Sequence, residues 1–273
     1  MPELPEVEVI RQGIAPMLIA RTIIRVKSSG LALRLPIPRT KIERYIKDQP
    51  ITAVRRRAKY LLVNMANNAA LIIHLGMTGR LGMFRADQSP APHDHLCCLL
   101  DNGLELRFND TRRFGSIQVL PPDSDEGHFF AALGPEPLGD DFTVDYMQNR
   151  AGKRRQPLKN FLMNSHVVAG IGNIYANEIT FAASISPTRT VNKISRREWQ
   201  TIITSTREIL QKAIAAGGST ISDFINAGGK PGYFQLQLRV YGRAGEPCPI
   251  CGTAIEKTSM AGRATFWCHH CQH

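Results

Sequence analysis

Residues 51–75 read ITAVRRRAKYLLVNMANNAALIIHL and contain three short runs of strand-forming residues. The runs Ile51–Arg55, Tyr60–Met65 and Ala70–Leu75 are separated by polar or asparagine-rich breaks, which is typical of strands joined by turns. Four similar runs lie outside this stretch: Thr22–Val26, Leu96–Leu100, Leu104–Phe108 and Gly115–Leu120. Seven short strands at this spacing predict a β-sandwich or flattened barrel.

Helical patterns lie on both sides of this β-rich region. Near the N-terminus, Pro5 precedes apolar residues at helical spacing, so one opening helix is expected. In the second half, similar spacing predicts helices over Val144–Arg150, Pro157–Asn164, Asn173–Ala183 and Arg196–Ala216. Ser195, with Glu198 three residues later, predicts an N-terminal capping box for the last of these helices.

These patterns predict an α+β protein with several domains. The 273 residues exceed the usual size of one domain, roughly 100–200 residues. We expect residues 1–130 to form an N-terminal β-sandwich domain and residues 131–142 to form a linker. Residues 143–235 are then a mainly helical domain, and residues 236–273 form a separate cysteine-bearing segment.

The charge balance indicates a polyanionic partner. The chain has 34 Lys and Arg against 23 Asp and Glu, a formal net charge of +11. Residues 1–130 contribute +5 and residues 131–273 contribute +6, so both halves are basic. A nucleic acid lying between two basic domains accounts for this distribution better than a basic tail does.

The sequence gives no sign of export or membrane insertion. Glu3, Glu6 and Glu8 interrupt the apolar core that a secretory signal requires. The stretch Tyr60–Gly79 lacks Asp, Glu, Lys and Arg, but asparagines lie in its middle, which favours two strands and a turn. We therefore expect a cytoplasmic protein that does not bind membranes.

The C-terminal cysteines have the spacing of a zinc site. Cys248 and Cys251 form one CxxC pair, and Cys268 and Cys271 form a second pair sixteen residues later. Four thiolates leave no coordination position for water, so the predicted Zn²⁺ is structural. The residues between the two pairs are expected to form a β-hairpin.

A basic segment precedes a glycine turn in the second half. Residues 146–177 contain no Asp or Glu, and Gly170-Ile-Gly172 leads directly into the helix that begins near Asn173. Backbone N–H groups at such a helix start favour a phosphate, although a glycine turn that packs two helices would look the same.

The N-terminus suggests covalent chemistry. Removal of Met1 would leave Pro2 with a secondary α-amine that is largely available near neutral pH. Such an amine can attack an aldehyde-like carbon and form an iminium ion, which acidifies the neighbouring carbon. Glu3 lies beside it as a candidate general acid or base.

Motifs along nearly the whole chain resemble the bacterial formamidopyrimidine-DNA glycosylase family, also called 8-oxoguanine DNA glycosylases. The matching segments are residues 2–8, 56–60, 74–79, 93–95, 112–115, 134–138, 170–175, 229–234 and 240–271. The resemblance implies an N-terminal helix with a two-layer β-sandwich, a helix-two-turn-helix domain and a zinc finger. It also implies a monomeric, nucleoid-associated enzyme of base excision repair that acts on damaged double-stranded DNA.

The resemblance also implies roles for individual residues. Pro2 is the Schiff-base nucleophile at the sugar C1′ and Glu3 is the proton donor. Lys59 is the acid of β-elimination and Arg263 is associated with δ-elimination. The DNA-binding positions are His93, Arg112, Arg154, Lys159 and Asn173, and the side chains that fill the gap left by an everted nucleotide are Met77, Arg112 and Phe114. The loop Gly217–Phe234 is expected to close over the extruded base.

Two other functions are compatible with parts of the pattern. An endonuclease VIII-like enzyme of the same superfamily would act on oxidised pyrimidines, but Leu4 and Arg112-Arg113-Phe114 favour the purine enzyme. A non-catalytic zinc-finger protein could recognise bent or damaged DNA, yet binding alone requires none of Pro2, Glu3 and Lys59. We therefore expect a bifunctional glycosylase and AP lyase that excises oxidised purines and cuts by β,δ-elimination.

Overall fold

The computed structural model describes residues 2–217 and 238–273, which form two compact units. The first unit comprises residues 2–129, and the second comprises residues 130–217 and 238–273. The loop predicted over Gly217–Phe234 lies outside the described residues beyond its first position.

The first unit opens with helix α1, Leu4–Leu18. Its N-terminus forms a capping box in which Glu3 is the N-cap and Glu6 the third helical residue. Val7, Ile10 and Ile14 recur at intervals of three and four residues and are completely or almost completely buried. One face of α1 is therefore part of the core, as the sequence predicts.

Eight strands form two antiparallel sheets in this unit. In chain order they are β1 (Ile23–Ser28), β2 (Ile51–Arg57), β3 (Tyr60–Met65), β4 (Ala70–His74), β5 (Gly79–Arg85), β6 (Asp94–Leu100), β7 (Leu104–Asp110) and β8 (Ser116–Leu120). One sheet has the order β1-β6-β7-β5 and the other has the order β2-β3-β4-β8. A single hydrophobic core takes residues from both sheets and from α1. The predicted β-sandwich is thus confirmed.

Three elements of this part of the chain were not expected from the sequence. They are β5, the helix α2 (Arg39–Tyr45) and the helix α3 (Glu126–Phe130). Gly79 and Gly82 weaken the strand pattern of β5, and α2 buries only Ile42, so neither element has a strong apolar period.

The second unit is mainly helical. Its helices are α4 (Val144–Ala151), α5 (Leu158–Leu162), α6 (Asn173–Ala182) and α7 (Arg196–Ala215). Ser195 and Glu198 form the predicted capping box, with the Ser195 N–H donating to Glu198 Oε2 at 2.8 Å. Large side chains such as Phe161, Tyr175 and Trp199 fill the core between the helices.

A short hairpin completes the second unit. Strands β9 (Glu256–Met260) and β10 (Arg263–Trp267) pair antiparallel, with Arg263 opposite Met260. Phe266 and Cys268 pack with Phe181 of α6 in a small hydrophobic cluster. The hairpin predicted between the two cysteine pairs is therefore present and packs on α6.

Within residues 2–217 and 238–273, no helix has the length and apolar character needed to cross a membrane.

Candidate active site

The start of α1 holds the two residues predicted to carry the covalent chemistry. Pro2 and Glu3 are both buried, and Glu3 is only 2% exposed. The Glu3 N–H donates to Glu6 Oε2 at 2.9 Å, so the Glu6 carboxylate fixes the backbone of Glu3. The fold thus fixes the position of the predicted proton donor next to Pro2.

Lys59 lies in the tight turn that joins β2 to β3. Ala58 and Lys59 are the two residues of this turn, and Ala58 adopts a left-handed conformation with φ of 54°. Arg56 donates to the Ala58 carbonyl at 3.0 Å and to Glu8 Oε2 of α1 at 3.1 Å. A chain of hydrogen bonds therefore connects the helix that begins beside Pro2 with the turn that carries Lys59.

Glu8 is the acidic member of this connection. Burial opposes its ionisation, but hydrogen bonds and charges from Arg11 and Arg56 outweigh burial and lower the pKa of Glu8. Arg11 lies 2.7 Å from Glu8 Oε1, so the carboxylate bridges two guanidinium groups. Sequence patterns alone did not predict this bridge, and only the helical position of Glu8 could have suggested it.

A cavity of about 670 Å³ is lined by the three residues predicted to fill the gap that an everted nucleotide leaves in DNA. Met77 and Phe114 are 44% and 45% exposed, which is unusual for large apolar side chains. The Arg112 guanidinium lies 4.7 Å from the centre of the Phe114 ring. The structure therefore brings Met77, Arg112 and Phe114 together at one cavity.

His74 lines the same cavity and was not assigned a role from the sequence. Burial, together with the charges of Lys59 and Arg34, lowers the pKa of His74 from 6.5 to about 4. Its Nδ1 accepts the Gly76 N–H at 3.1 Å, which leaves the ring proton on Nε2. His74 is thus neutral at pH 7, and its place in the segment 74–79 was the only sequence signal for it.

His93 lies on an exposed loop before β6, with φ of 70°. The buried Arg107 holds this loop by donating to the carbonyls of Gln88 and Ser89 at 2.5 and 3.1 Å. Asn109 donates to the Pro92 carbonyl at 2.8 Å. The main chain on the N-terminal side of His93 is thus well fixed.

In the second unit, the predicted DNA contacts have different environments. Arg154 is exposed, and its guanidinium donates to the carbonyl of Arg150. Lys159 is completely buried, and its Nζ donates to the Ala264 carbonyl at 2.8 Å and to Thr265 Oγ1 at 2.7 Å. Asn173 also donates to the Ala264 carbonyl, at 3.1 Å.

Lys159 and Asn173 therefore contact the β9–β10 hairpin. Arg263 is exposed and directly precedes Ala264, the residue that both side chains bind. A direct contact of Lys159 or Asn173 with phosphate stays a prediction.

The four C-terminal cysteines form a site that fits Zn²⁺. Their sulfur atoms all lie within 4.8 Å of one another, and none of the four is in a disulfide. Cys248 Sγ is 3.9 Å from Cys271 Sγ, and Cys251 Sγ is 3.5 Å from Cys268 Sγ. A tetrahedral zinc with bonds of about 2.3 Å requires sulfur atoms about 3.8 Å apart. The donor set and its spacing thus match a structural zinc site.

Comparison with family models assigns most of the chain. Residues 1–117 match the formamidopyrimidine-DNA glycosylase N-terminal domain, and residues 133–225 match the H2TH domain of the same glycosylases. Residues 245–273 match a zinc finger found in FPG and IleRS.

Individual relatives match over the full length. The formamidopyrimidine-DNA glycosylase of Photobacterium damsela subsp. piscicida is 46% identical over 272 residues, covering 100% of both chains. The wild-type Lactococcus lactis Fpg (MutM), solved with DNA containing N7-benzyl-Fapy-dG, is 33% identical with a TM-score of 0.89 and 100% coverage of both chains. A MutM structure in complex with DNA containing carbocyclic 8-oxo-G is 32% identical with a TM-score of 0.90, again with 100% coverage of both chains.

Proposed function

The chain belongs to the formamidopyrimidine-DNA glycosylase family, and from this membership we propose that it excises oxidised purines through a Schiff base on Pro2. It is a DNA glycosylase of base excision repair, it acts on damaged double-stranded DNA, and it carries one structural zinc. Its AP lyase activity is typical of the family. We assign the steps below to individual residues.

In the first step, the Pro2 nitrogen forms a bond to the sugar C1′ while the bond from C1′ to the damaged base breaks, and the proton that the amine loses neutralises the departing base. Glu3 protonates the sugar, so that the ring opens and an iminium ion forms. This cation draws electrons from C2′ and acidifies its hydrogens. Loss of a C2′ proton with departure of the 3′ phosphate is β-elimination, in which Lys59 is the acid. Loss of the C4′ proton with departure of the 5′ phosphate is δ-elimination, in which Arg263 takes part.

The observation that carries this proposal is the link from α1 to the Lys59 turn. Arg56 connects Glu8 to the Ala58 carbonyl, so the helix that follows Pro2 and Glu3 is fixed to the residue before Lys59. A protein that only recognises damaged DNA needs no such connection between the helix that begins beside the buried Pro2 and the turn that carries Lys59. This connection supports the proposal because general acid–base catalysis requires its proton donors to be held in fixed positions.

The cavity supports extrusion of the damaged nucleotide. A base inside a duplex hides its glycosidic bond, and everting it costs a few kcal/mol. We assign Met77, Arg112 and Phe114 to the gap that the base leaves, where each stacked contact recovers roughly 1–3 kcal/mol. His93 and Arg154 are exposed, and both side chains can donate hydrogen bonds to phosphate oxygens. Work on chromosomal DNA would place the enzyme at the nucleoid.

A parallel cleavage assay tests the substrate class. One duplex carries 8-oxoguanine opposite cytosine and a second carries thymine glycol opposite adenine, with a Glu3→Gln variant as the matched control. We expect faster cleavage of the 8-oxoguanine strand, with phosphates left on both sides of the gap, and no comparable cleavage by Glu3→Gln.

Two results would contradict this proposal. Faster cleavage of thymine glycol would identify an endonuclease VIII-like enzyme. Tight binding with both duplexes left intact at enzyme excess would identify a non-catalytic damage-recognition protein.

A further inference from the structure

Asp110, at the end of β7, is a buried carboxylate that the proposed chemistry does not use. Its exposure is 0%. Thr78 Oγ1 donates to Asp110 Oδ1 at 2.5 Å, and the Gly115 N–H donates to Asp110 Oδ2 at 2.8 Å. Burial of a carboxylate is costly unless hydrogen bonds compensate for the lost water. Here each oxygen accepts from a different loop.

The two loops are the ones that carry the exposed apolar side chains of the cavity. Thr78 follows Met77, and Gly115 follows Phe114. The Thr78 hydroxyl oxygen also accepts the Arg112 N–H at 3.2 Å, so it connects Asp110 to the second loop as well. Met77, Arg112 and Phe114 are therefore each within one residue of a group in this network.

The main chain of Asp110 contributes a second set of bonds. Its carbonyl accepts the Arg113 N–H at 3.2 Å and lies 3.0 Å from His95 Nε2. The buried His95 is in turn 2.9 Å from Ser29 Oγ through Nδ1. These contacts fix the main chain of Asp110 to the sheet, and its side chain in turn binds both loops.

The loops also touch each other directly. Gly76 has φ of 64°, and a Cβ there would lie 2.4 Å from the Phe114 carbonyl carbon and from the Gly115 nitrogen. Only glycine allows this approach and this backbone conformation together. Because of this close approach, a side chain added at Gly76 would displace the second loop.

We propose that Asp110 is a positioning residue that, through Thr78 and Gly115, holds both loops in the arrangement needed to enter the base stack. The inference rests on the proposed function, in which Met77, Arg112 and Phe114 fill the gap left by the everted nucleotide. Because these groups are exposed while Asp110 is buried, Asp110 acts on DNA only through the loops. Its contribution concerns opening of the duplex and leaves the chemistry at C1′ unaffected.

The test compares Thr78→Val, which removes the hydroxyl, with Thr78→Ser, which retains it. Two substrates are used: a duplex with 8-oxoguanine paired to cytosine, and a single strand with a preformed abasic site, where there is no stack to enter. Loss of a hydrogen bond to a buried carboxylate predicts a single-turnover rate lowered about tenfold or more on the paired lesion. We expect single-strand cleavage within about twofold of the wild type, since the reaction at the sugar is unchanged.

A spectroscopic readout distinguishes loss of loop positioning from a general loss of protein structure. With 2-aminopurine beside the lesion, Thr78→Val is expected to delay the fluorescence rise that reports unstacking, and Thr78→Ser is expected to restore it. Asp110→Asn, checked for folding by circular dichroism, provides a second variant with the same expected pattern.

Three outcomes overturn the inference: equal loss on both substrates, no loss on either, or a Thr78→Ser variant as slow as Thr78→Val. Failure of the wild-type protein to cut either substrate would instead refute the proposed function.

Discussion

Each of the two units has a segment that we propose to act on DNA, and each such segment is held by a buried ionisable side chain, an acidic one in the first unit and a basic one in the second. In the first unit, the Asp110 carboxylate accepts hydrogen bonds from Thr78 and from the Gly115 N–H. In the second unit, the Lys159 ammonium donates to the Ala264 carbonyl and to Thr265. An anion can fix loops through their N–H and O–H groups, whereas a cation can fix a strand only through its oxygen atoms.

The supporting structure around these groups also differs. The loops near Asp110 extend from two four-stranded sheets that share one core with α1. The segment near Lys159 is a two-stranded hairpin, which has little stability by itself. Lys159 and Asn173 both donate to its Ala264 carbonyl, and Asn177 accepts the Phe266 N–H at 2.8 Å. The zinc site is its fourth support. We therefore expect the second unit to be the more sensitive to loss of a single support.

Loss of zinc should have the largest effect. Structural zinc contributes roughly 10–16 kcal/mol in small zinc peptides, so Cys268→Ser should release the metal and unfold the hairpin. We expect native mass spectrometry to show no bound zinc and fluorescence anisotropy to show lost affinity for lesion DNA. Cys97→Ala is the matched control, since Cys97 is a buried thiol in the first unit. Retained zinc and affinity in Cys268→Ser would contradict the assigned ligand set.

Removal of the Lys159 ammonium should have a smaller and more selective effect. Lys159→Met leaves the Ala264 carbonyl and the Thr265 hydroxyl without this donor, at a cost of about 1–3 kcal/mol. Because Arg263 precedes Ala264, we expect δ-elimination to slow about tenfold relative to β-elimination. Denaturing gels that resolve the two 3′ ends measure this ratio, with the exposed Lys153→Met as control. An unchanged ratio together with weaker binding would instead favour a direct phosphate contact by Lys159.

A third effect concerns the pH dependence of stability in the first unit. The pKa of His74 is lowered to about 4 from 6.5, mainly by burial and then by Lys59 and Arg34. Between these values the unfolded chain binds a proton that the folded chain does not, so stability falls as the pH drops from 6.5 towards 4. The loss attributable to His74 is at most about 3 kcal/mol.

Urea unfolding at pH 7 and pH 4.5 measures this loss. His74→Gln keeps an acceptor for the Gly76 N–H and should flatten the pH dependence, whereas the exposed control His128→Gln should not. Identical curves for His74→Gln and the wild type would refute the assignment.

Local patterns were sufficient to predict several elements. The runs of strand-forming residues at 60–65 and 70–75 became β3 and β4, and the Ser195 and Glu198 pair became a capping box. The CxxC spacing predicted four sulfur atoms that converge in the structure. Each of these signals is complete within one or two short segments, so no knowledge of the fold was needed.

The supports of the site could not be predicted in the same way. Glu8 and Arg56 are 48 residues apart, and Thr78 and Asp110 are 32 residues apart, so only the tertiary fold pairs them. A basic segment also does not reveal which cation is buried. Arg154 and Lys159 both occur in the acid-free segment, yet Arg154 is exposed and Lys159 is completely buried.

The central claim is that the Pro2 nitrogen captures the sugar of the damaged nucleotide. Borohydride reduction of the reaction on 8-oxoguanine DNA, followed by proteolysis and mass spectrometry, identifies the modified atom. We predict a peptide that begins at Pro2, lacks Met1 and carries the deoxyribose remnant on its N-terminal nitrogen. A remnant on a lysine, or equal trapping of chains that retain Met1, would contradict the account.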